Sequence, residues 1–534
     1  MTRPFFRKDG AEAEVGASEL EPSGKRRRPM TSNSTIDQAT DTEMRPDGDP
    51  KRFRALAIIA VAQLMVVLDA SVVIIALPSA QRALHISTAN REWMLTAYTL
   101  AFAGLLLLGG RIADYFGRKR MFVISLIGFA GASALGGLAQ NSAMLFSARA
   151  LQGAFAAVMA PAALSLLTVA FTEPKERARA FGVYGGIAGG GAAIGLILGG
   201  FLTEYASWRW TLLINVPIAV IAAVAALRVV TESRSPSNHG YDLPGAVTVT
   251  GGLLALVYAF TKAGSDGWGS SVTLTLFGLA GVLLVAFVTI EYRAAHPLLP
   301  LRVVLERNRG GSFLSSLLVG TAMLGTFLSL TYYFQGTLGY SALKSGFAFV
   351  PFSLGIITGA TAASRLLPRF GPRLTMSFGL LMAAVGLGIF TTLDPQSTYV
   401  SIVLPAEVIV SVGMGIAFVA MSSTALIGVH PEDAGVASAL VNATQQTGGS
   451  MGAALINTIA TSATVSYVAS HGRSPAALTA GAIHGYTTAF TFSAVVLAVA
   501  AAVAFTLIRR ARHVGTEAIE ETGEPDEPLV LVGV

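Results

Sequence analysis

Cysteine is absent from this 534-residue chain, which excludes disulfides, iron–sulfur clusters and thiol catalysis. Charge is scarce as well. Asp, Glu, Lys and Arg make up 13% of the residues, against about 25% in soluble domains. So few charges cannot cover a solvated surface, and a soluble globular protein is excluded. No Gly-rich phosphate loop ending in Gly-Lys-Ser/Thr occurs, and no nucleotide-binding domain has room between the apolar runs. Energy must then come from an ion gradient or from no source at all. The seven histidines do not cluster: His85, His471 and His484 fall on one side of the expected membrane, His239, His296, His430 and His513 on the other. They lack metal-ligand spacing, so no metal or other cofactor is expected.

What the chain has in excess is apolar sequence, 53% of residues with a mean hydropathy of +0.61. A membrane span needs about 20 mostly apolar residues. Fourteen stretches qualify, at 54–78, 92–110, 120–139, 143–170, 178–202, 209–230, 243–262, 270–292, 310–335, 344–367, 372–392, 399–428, 435–460 and 486–509. The reading is an all-α, multi-pass membrane protein. Lys and Arg test it. With both termini cytoplasmic, 22 of the 37 basic residues lie in inner segments and 6 in outer loops, the bias expected of a cytoplasmic face. That bias explains the net charge of +6 without any nucleic-acid partner.

The first fifty or so residues are polar and read as a disordered cytoplasmic tail (1–53), with Lys25-Arg26-Arg27-Arg28 suited to anionic lipid. No secretory signal is visible. The end, 511–534, reads as a second cytoplasmic tail. The stretch 461–485, polar and rich in Gly, Ser and Ala, is expected to be the longest internal loop. Arginine in excess over lysine, with abundant alanine and glycine, suggests the cytoplasmic membrane of a bacterium.

One short stretch concentrates unusual residues: Gly109-Gly110-Arg111-Ile112-Ala113-Asp114-Tyr115-Phe116-Gly117-Arg118-Lys119-Arg120. Small residues let helices approach closely, Asp114 can accept from helix N-termini or arginines, and Arg118 can pair with it. The stretch suits a two-position latch; a loop that only sets topology is the alternative.

In chain order come Leu68-Asp69-Ala70-Ser71-Val72-Val73 with Ala76-Leu77-Pro78, then Trp93-Met94-Leu95-Thr96-Ala97-Tyr98, then the loop above. Arg149-Ala150-Leu151-Gln152-Gly153 follows, then Trp208-Arg209-Trp210 with Ile214-Asn215-Val216-Pro217, and Ala434-Gly435-Val436-Ala437-Ser438 through Gln445-Gln446-Thr447-Gly448-Gly449. Together these resemble the fourteen-helix drug:proton antiporter branch of the major facilitator superfamily, over nearly all of the membrane region. The resemblance implies a major facilitator fold. Two six-helix bundles (54–230 and 310–510) would enclose a central cavity, with a two-helix insertion (243–293) between them. It implies a transporter rather than an enzyme, acting as a monomer on a small molecule and protons within the bilayer. Its function would be proton-coupled efflux of hydrophobic, often cationic, small molecules by alternating access. The alternative is a dedicated exporter of one native metabolite, antibiotic or lipid. By the same resemblance Gly110, Asp114, Gly117 and Arg118 form the cytoplasmic latch. The family's helix 5 motif is matched by Gly191, Gly195, Gly199 and Gly200, but Leu196 stands where proline is expected. Close helix packing is retained there and a proline kink is not expected.

Ionisable residues inside spans are costly and mark function. Asp69, Arg149 and Glu407 are the candidates for proton coupling. At ~1.5 Å rise per residue they lie roughly 13, 9 and 12 Å below the outer surface, in one layer. Asp69 is the candidate proton carrier, its charge opposed by burial and favoured by Arg149; a structural ion pair is the alternative. Glu407 is a candidate second proton or cation site, or else faces the outer mouth. Trp93, Tyr98, Gln152, Phe155, Met159, Asn442, Gln445 and Gln446 are candidates to line the substrate cavity, since aromatic and Met side chains suit large apolar cations. For each of them ordinary helix packing is the alternative.

Overall fold

The computed structural model describes residues 51–509, apart from 89, 172, 234–241, 295, 296, 298, 300, 428 and 430–433. The two tails, with the Lys25–Arg28 cluster, lie outside the described residues, but α1 begins at Lys51, a little earlier than the expected tail boundary.

The described elements are helical: α1 Lys51–Ala83, α2 Trp93–Phe116, α3 Arg118–Gly137, α4 Ser142–Ala170, α5 Pro174–Tyr205, α6 Trp210–Leu213, α7 Asn215–Val229, α8 Leu243–Asp266, α9 Ser271–Arg293, α10 Leu301–Leu305, α11 Arg307–Tyr332, α12 Ala342–Ala348, α13 Val350–Phe390, α14 Leu404–Leu426, α15 Ala434–His471 and α16 Pro475–Leu507. Wider π-helical turns, Tyr333–Thr337 and Tyr399–Val403, extend α11 and precede α14. Each of the fourteen apolar stretches falls on helix. Among the described residues nine helices are long and apolar enough to cross a membrane, or ten if the bent pair Trp93–Leu106 and Leu108–Phe116 counts as one. The count is lower than fourteen partly because Ala342–Phe390 is taken as one run, although Gly371 breaks it with φ of 73°. Glycine and small polar residues also lower the hydropathy of some stretches.

The expected long loop at 461–485 is mostly helix. α15 runs on to His471 and α16 starts at Pro475. Polarity misled there, because Ala, Ser and Thr are compatible with helix once the chain leaves the apolar layer. The turn is made by Gly472, with φ of 87°, and by Ser474, whose side chain accepts from Ala477 N with Pro475 in the first turn.

Glycine sets the tightest crossings. A methyl group at Gly153 of α4 would collide with the Tyr98 carbonyl of α2, and one at Gly109 of α2 with the Ala157 carbonyl of α4. In the second half Gly320 abuts the Gln445 carbonyl, and Gly359 and Gly415 bring α13 against α14. Such small-residue contacts bind helices where lipid offers no hydrophobic drive. α9 presents apolar side chains outward: Val282 and Val285 are 68% and 67% exposed, as on a lipid-facing surface. α8 sits on α2, where Thr250 Oγ1 donates to the Gly104 carbonyl at 2.6 Å.

By the alternation of the fourteen apolar stretches, the basic-poor turns fall on one side of the membrane and the basic-rich ones on the other. The halves before and after the α8–α9 hairpin meet toward the basic-poor end. One buried apolar cluster there runs from Val72–Leu77, Met94 and Leu196 into Val319, Leu330, Phe334 and Phe349. Several polar contacts between the halves also lie toward that end: Thr99 with Ser450 at 2.5 Å, Gln335 Nε2 to the Ile75 carbonyl at 2.9 Å and Leu343 N to Glu204 Oε2 at 2.9 Å, while Arg111 Nη2 donates to the Pro297 carbonyl at 3.2 Å on the basic-rich side.

Candidate functional site

Asp69 faces inward from the middle of α1. It is fully buried, with Arg149, Gln152 and Asn215 buried around it. α4 brings two of these partners, because Arg149 and Gln152 are three residues apart and share one helix face. Arg149 Nη1 donates to Asp69 Oδ2 at 2.5 Å, and Gln152 Nε2 donates to Asp69 Oδ1 at 2.9 Å. The third donor comes from α7: Asn215 Nδ2 reaches Asp69 Oδ1 at 2.7 Å. One carboxylate thus accepts from three side chains on two other helices.

The arginine has further partners. Its Nη1 also donates to Gln152 Oε1 at 2.8 Å, and its Nε to the Met94 carbonyl at 3.0 Å. Its guanidinium lies 4.5 Å from the centre of the Tyr98 ring. Gln152 Nε2 is held by Ser133 Oγ at 2.7 Å. Asn215 Oδ1 is buried without a hydrogen-bond partner. An isolated charge is costly in such a place, and full pairing offsets that cost. The site is built so that movement of α1 against α4 or α7 changes what Asp69 accepts.

Glycines of α5 let it lie against α1 beside this carboxylate. Gly195 meets Ser71 and Gly199 meets the Val72 backbone, while Gly191 faces Leu64 and Val67. α5 is one unbroken helix, Pro174–Tyr205, in keeping with leucine at position 196 in place of proline. Gly200 turns the other way and meets Ala342 and Leu343 of α12.

Glu407 is apart from the Asp69 network. It is fully buried in the second half, where the Tyr399 hydroxyl lies 3.4 Å from Oε2 and also donates to the Ala348 carbonyl at 2.8 Å. Its Oε1 has no partner. Of the three residues expected in one layer, Asp69 and Arg149 form a bonded pair, and Glu407 has its described contact with Tyr399.

At the basic-rich end Arg118 Nε pairs with Asp114 Oδ1 at 2.8 Å. Gly117, with φ of 109°, turns α2 into α3 in a conformation that favours glycine. The first turn of α3 is capped from elsewhere. Glu232, just after α7, accepts from Lys119 N and Arg120 N, each at 3.1 Å, as a carboxylate does at a helix N-terminus. Gly110 faces Pro161 of α4.

The cavity candidates scatter. Tyr98 and Gln152 belong to the Asp69 network. Trp93 stands edge-on to Tyr258 of α8 at 5.8 Å, Phe155 packs on Gly128 of α3, and Met159 lies in the apolar core of the first half. Asn442, Gln445 and Gln446 are on α15; Asn442 is exposed and the two glutamines are half-buried. A crevice of about 410 Å³ opens between α5 and α12, lined by Ile194, Ile197, Leu198, Phe201, Leu343 and Phe347, and takes in none of these candidates.

Asn215, Ser133 and Glu232 were not singled out from sequence. Asn215 had a signal, a lone amide in an apolar run inside a motif. Glu232 had none, because it acts on a helix start more than a hundred residues away.

Comparison with known proteins gives this arrangement a context. The model of the Major Facilitator Superfamily matches residues 59–453. The chain is 49% identical over 478 residues to the puromycin resistance protein of Streptomyces alboniger, covering 89% of this chain and 94% of that one. It is 39% identical to the cephamycin export protein of Amycolatopsis lactamdurans, over 77% of this chain and 85% of that one. Identity to the tetracenomycin C resistance and export protein of Streptomyces glaucescens is 33%, over 76% and 75%. Among solved structures, a bacterial homologue of the human lysosomal transporter Spinster, inward-facing and unoccupied, superposes with a TM-score of 0.61 at 17% identity, covering 86% of this chain and 97% of that one.

Proposed function

The chain belongs to the major facilitator superfamily, and we propose that it exports antibiotics or other amphipathic small molecules across the cytoplasmic membrane of a bacterium, driven by inward proton flow. The substrate class rests on the relatives, whose names are those of antibiotic resistance and export proteins. The observation that carries the mechanism is the buried Asp69 carboxylate and its three donors from α4 and α7.

In this reading the halves before and after the α8–α9 hairpin are the two moving bundles. The basic-rich end faces the cytoplasm, with both termini, and the basic-poor end faces outward. The arrangement described is then shut on the outside, since the contacts between the halves gather there. A proton arriving at Asp69 removes the counter-charge of Arg149. The arginine keeps the Met94 carbonyl and Gln152 Oε1 as partners, so it need not leave its place. What loosens is the tie between α1 and the α4–α7 pair. Asp69 loses that proton once the centre opens to the cytoplasm and substrate enters. The Asp114–Arg118 pair and the Glu232 cap hold the α2–α3 turn in one of its two positions. Glu407 is a second place for a proton, outside the coupling centre. The protein works as a monomer.

A dedicated exporter is the second reading, favoured by relatives each named for a single antibiotic. Transport in inverted membrane vesicles tests both readings. Wild type should accumulate puromycin or ethidium only with a proton gradient, and Asp69→Asn should lose that gradient-driven uptake. Movement of puromycin without ethidium selects the dedicated exporter. Equal gradient-driven uptake by Asp69→Asn would remove Asp69 from coupling and leave export standing.

A further inference from the structure

Asn457 of α15 belongs to the second half, yet it directs its hydrogen bonds at the first. Its Oδ1 accepts from Arg91 Nε at 2.8 Å, and its Nδ2 donates to Glu92 Oε2 at 2.9 Å and to the Thr88 carbonyl at 3.1 Å. An amide offers two donor hydrogens and an acceptor oxygen, so both donors and the acceptor are engaged across the divide. Glu92 immediately precedes α2 and is 2% exposed; Asn457 is 5% exposed. The Arg91 guanidinium also covers the Tyr332 ring of α11 at 4.0 Å, and the Tyr332 hydroxyl donates to Gln81 Oε1 at the end of α1. None of these groups takes part in the Asp69 network.

We propose that Glu92, Arg91, Asn457, Tyr332 and Gln81 form a bolt between the two halves at the basic-poor end. It is made when that end is shut and broken when it opens, and the Glu92 carboxyl binds a proton on shutting and gives it up on opening. The proton is exchanged with the medium on that side, a carboxylate becoming a carboxylic acid with no other bond changed. The titratable and charged groups that face Glu92 and Arg91 are each other, Tyr332 of α11 and Tyr486 of α16. Arg91 is the cation among them, and it is shared with Asn457 and the Tyr332 ring.

The physical basis is burial. In the shut arrangement burial raises the Glu92 carboxyl from its ordinary 4.5 to about 8, against smaller opposing effects of a backbone hydrogen bond and of Arg91. Water reaching the carboxyl on opening returns it toward the ordinary value. Between those two pH values the shut state holds a proton that the open state lacks. Acid therefore favours the shut state, and this preference is lost as pH rises through about 8. One proton changes the shut-to-open ratio by at most about tenfold per pH unit. In the orientation of the transport reading, a proton from outside closes the outer door behind it. The inference uses that reading only for which side is outer.

The absence of cysteine makes a direct test possible. Gln140→Cys and Gln396→Cys, both exposed at the basic-poor end and one in each half, carry a spin-label pair on the full chain in lipid nanodiscs. Pulsed electron resonance then gives the distance distribution from about pH 5 to about pH 9. The long-distance, open fraction should grow as pH rises and level off above about 8. Glu92→Gln, which keeps the bond to Asn457 but cannot titrate, should remove this pH response. Asn457→Ala should enlarge the open fraction at pH values where the parent is shut. A parent distribution that does not move with pH would overturn the proposal, as would a full response in Glu92→Gln or an Asn457→Ala distribution identical to the parent's. No drug is present in this experiment, so its failure leaves the export reading untouched, and failed vesicle transport leaves the bolt untouched.

Discussion

Asp69 and Glu407 are both acids on membrane helices with no exposure to solvent, one in each half of the molecule. Asp69 accepts from an arginine and two amides carried by α4 and α7. Glu407 has a tyrosine hydroxyl only eight residues away in sequence and one oxygen with no partner. The difference lies in who holds the acid. Partners on other helices make an acid sensitive to helix movement. A partner on the turn that leads directly into the acid's own helix moves with it and reports nothing.

Arg149→Ala should break this comparison most severely. It leaves Asp69 buried without its counter-charge, which costs about 3–5 kcal/mol, and the melting temperature in detergent should fall accordingly. The double variant Asp69→Asn with Arg149→Ala should recover most of that loss, because no uncompensated charge is left. A double variant no better than the single one would mean that the arginine matters through its Met94 and Tyr98 contacts, not through the pair.

Glu407→Met should act in the opposite direction. It removes a buried oxygen without a partner, worth about 1–3 kcal/mol, and Tyr399 keeps the Ala348 carbonyl. The variant should melt at an equal or higher temperature and keep gradient-driven uptake in vesicles. Loss of uptake by a stably folded Glu407→Met would bring the second acid into the coupling centre and dissolve the contrast drawn above.

The smallest effect on stability is expected at the basic-rich end. Asp114 and Arg118 are part-exposed, with side chains 37% and 18% accessible, and such pairs contribute about 0.2–1 kcal/mol at most. Asp114→Ala should leave the melting temperature almost unchanged and slow turnover more than it weakens substrate binding. A parallel loss of both would point to local misfolding of the α2–α3 turn.

Much of the fold was legible from the chain. Apolar runs long enough to span a bilayer fell on helices because, in lipid, backbone groups must satisfy one another within the segment. Two kinds of feature were not legible. Helix persisted through 461–471 and 475–485, where composition suggested loop, because polarity marks the edge of the apolar layer and not the end of a helix. The partners of Asp69 were the other case. Spacing along α1, α4 and α14 gave Asp69, Arg149 and Glu407 similar depths. Depth is a coordinate along each helix. It carries no information on which helix stands next to which, so Asn215 was passed over and Gln152 was taken for cavity lining.

The sequence by itself determined a multi-pass helical membrane protein with a basic-rich and a basic-poor side, the glycine faces of α5, and the presence of rare buried charges. These follow from transfer energies and helical periodicity, which are local properties of the chain. Only the tertiary structure decided that Asp69 is held by α4 and α7 together, that Glu232 caps α3, and that Asn457 spends its hydrogen bonds on Arg91, Glu92 and Thr88. Those contacts join residues from tens to hundreds of positions apart, and their energies exist only once close helix packing has brought the groups within hydrogen-bonding distance.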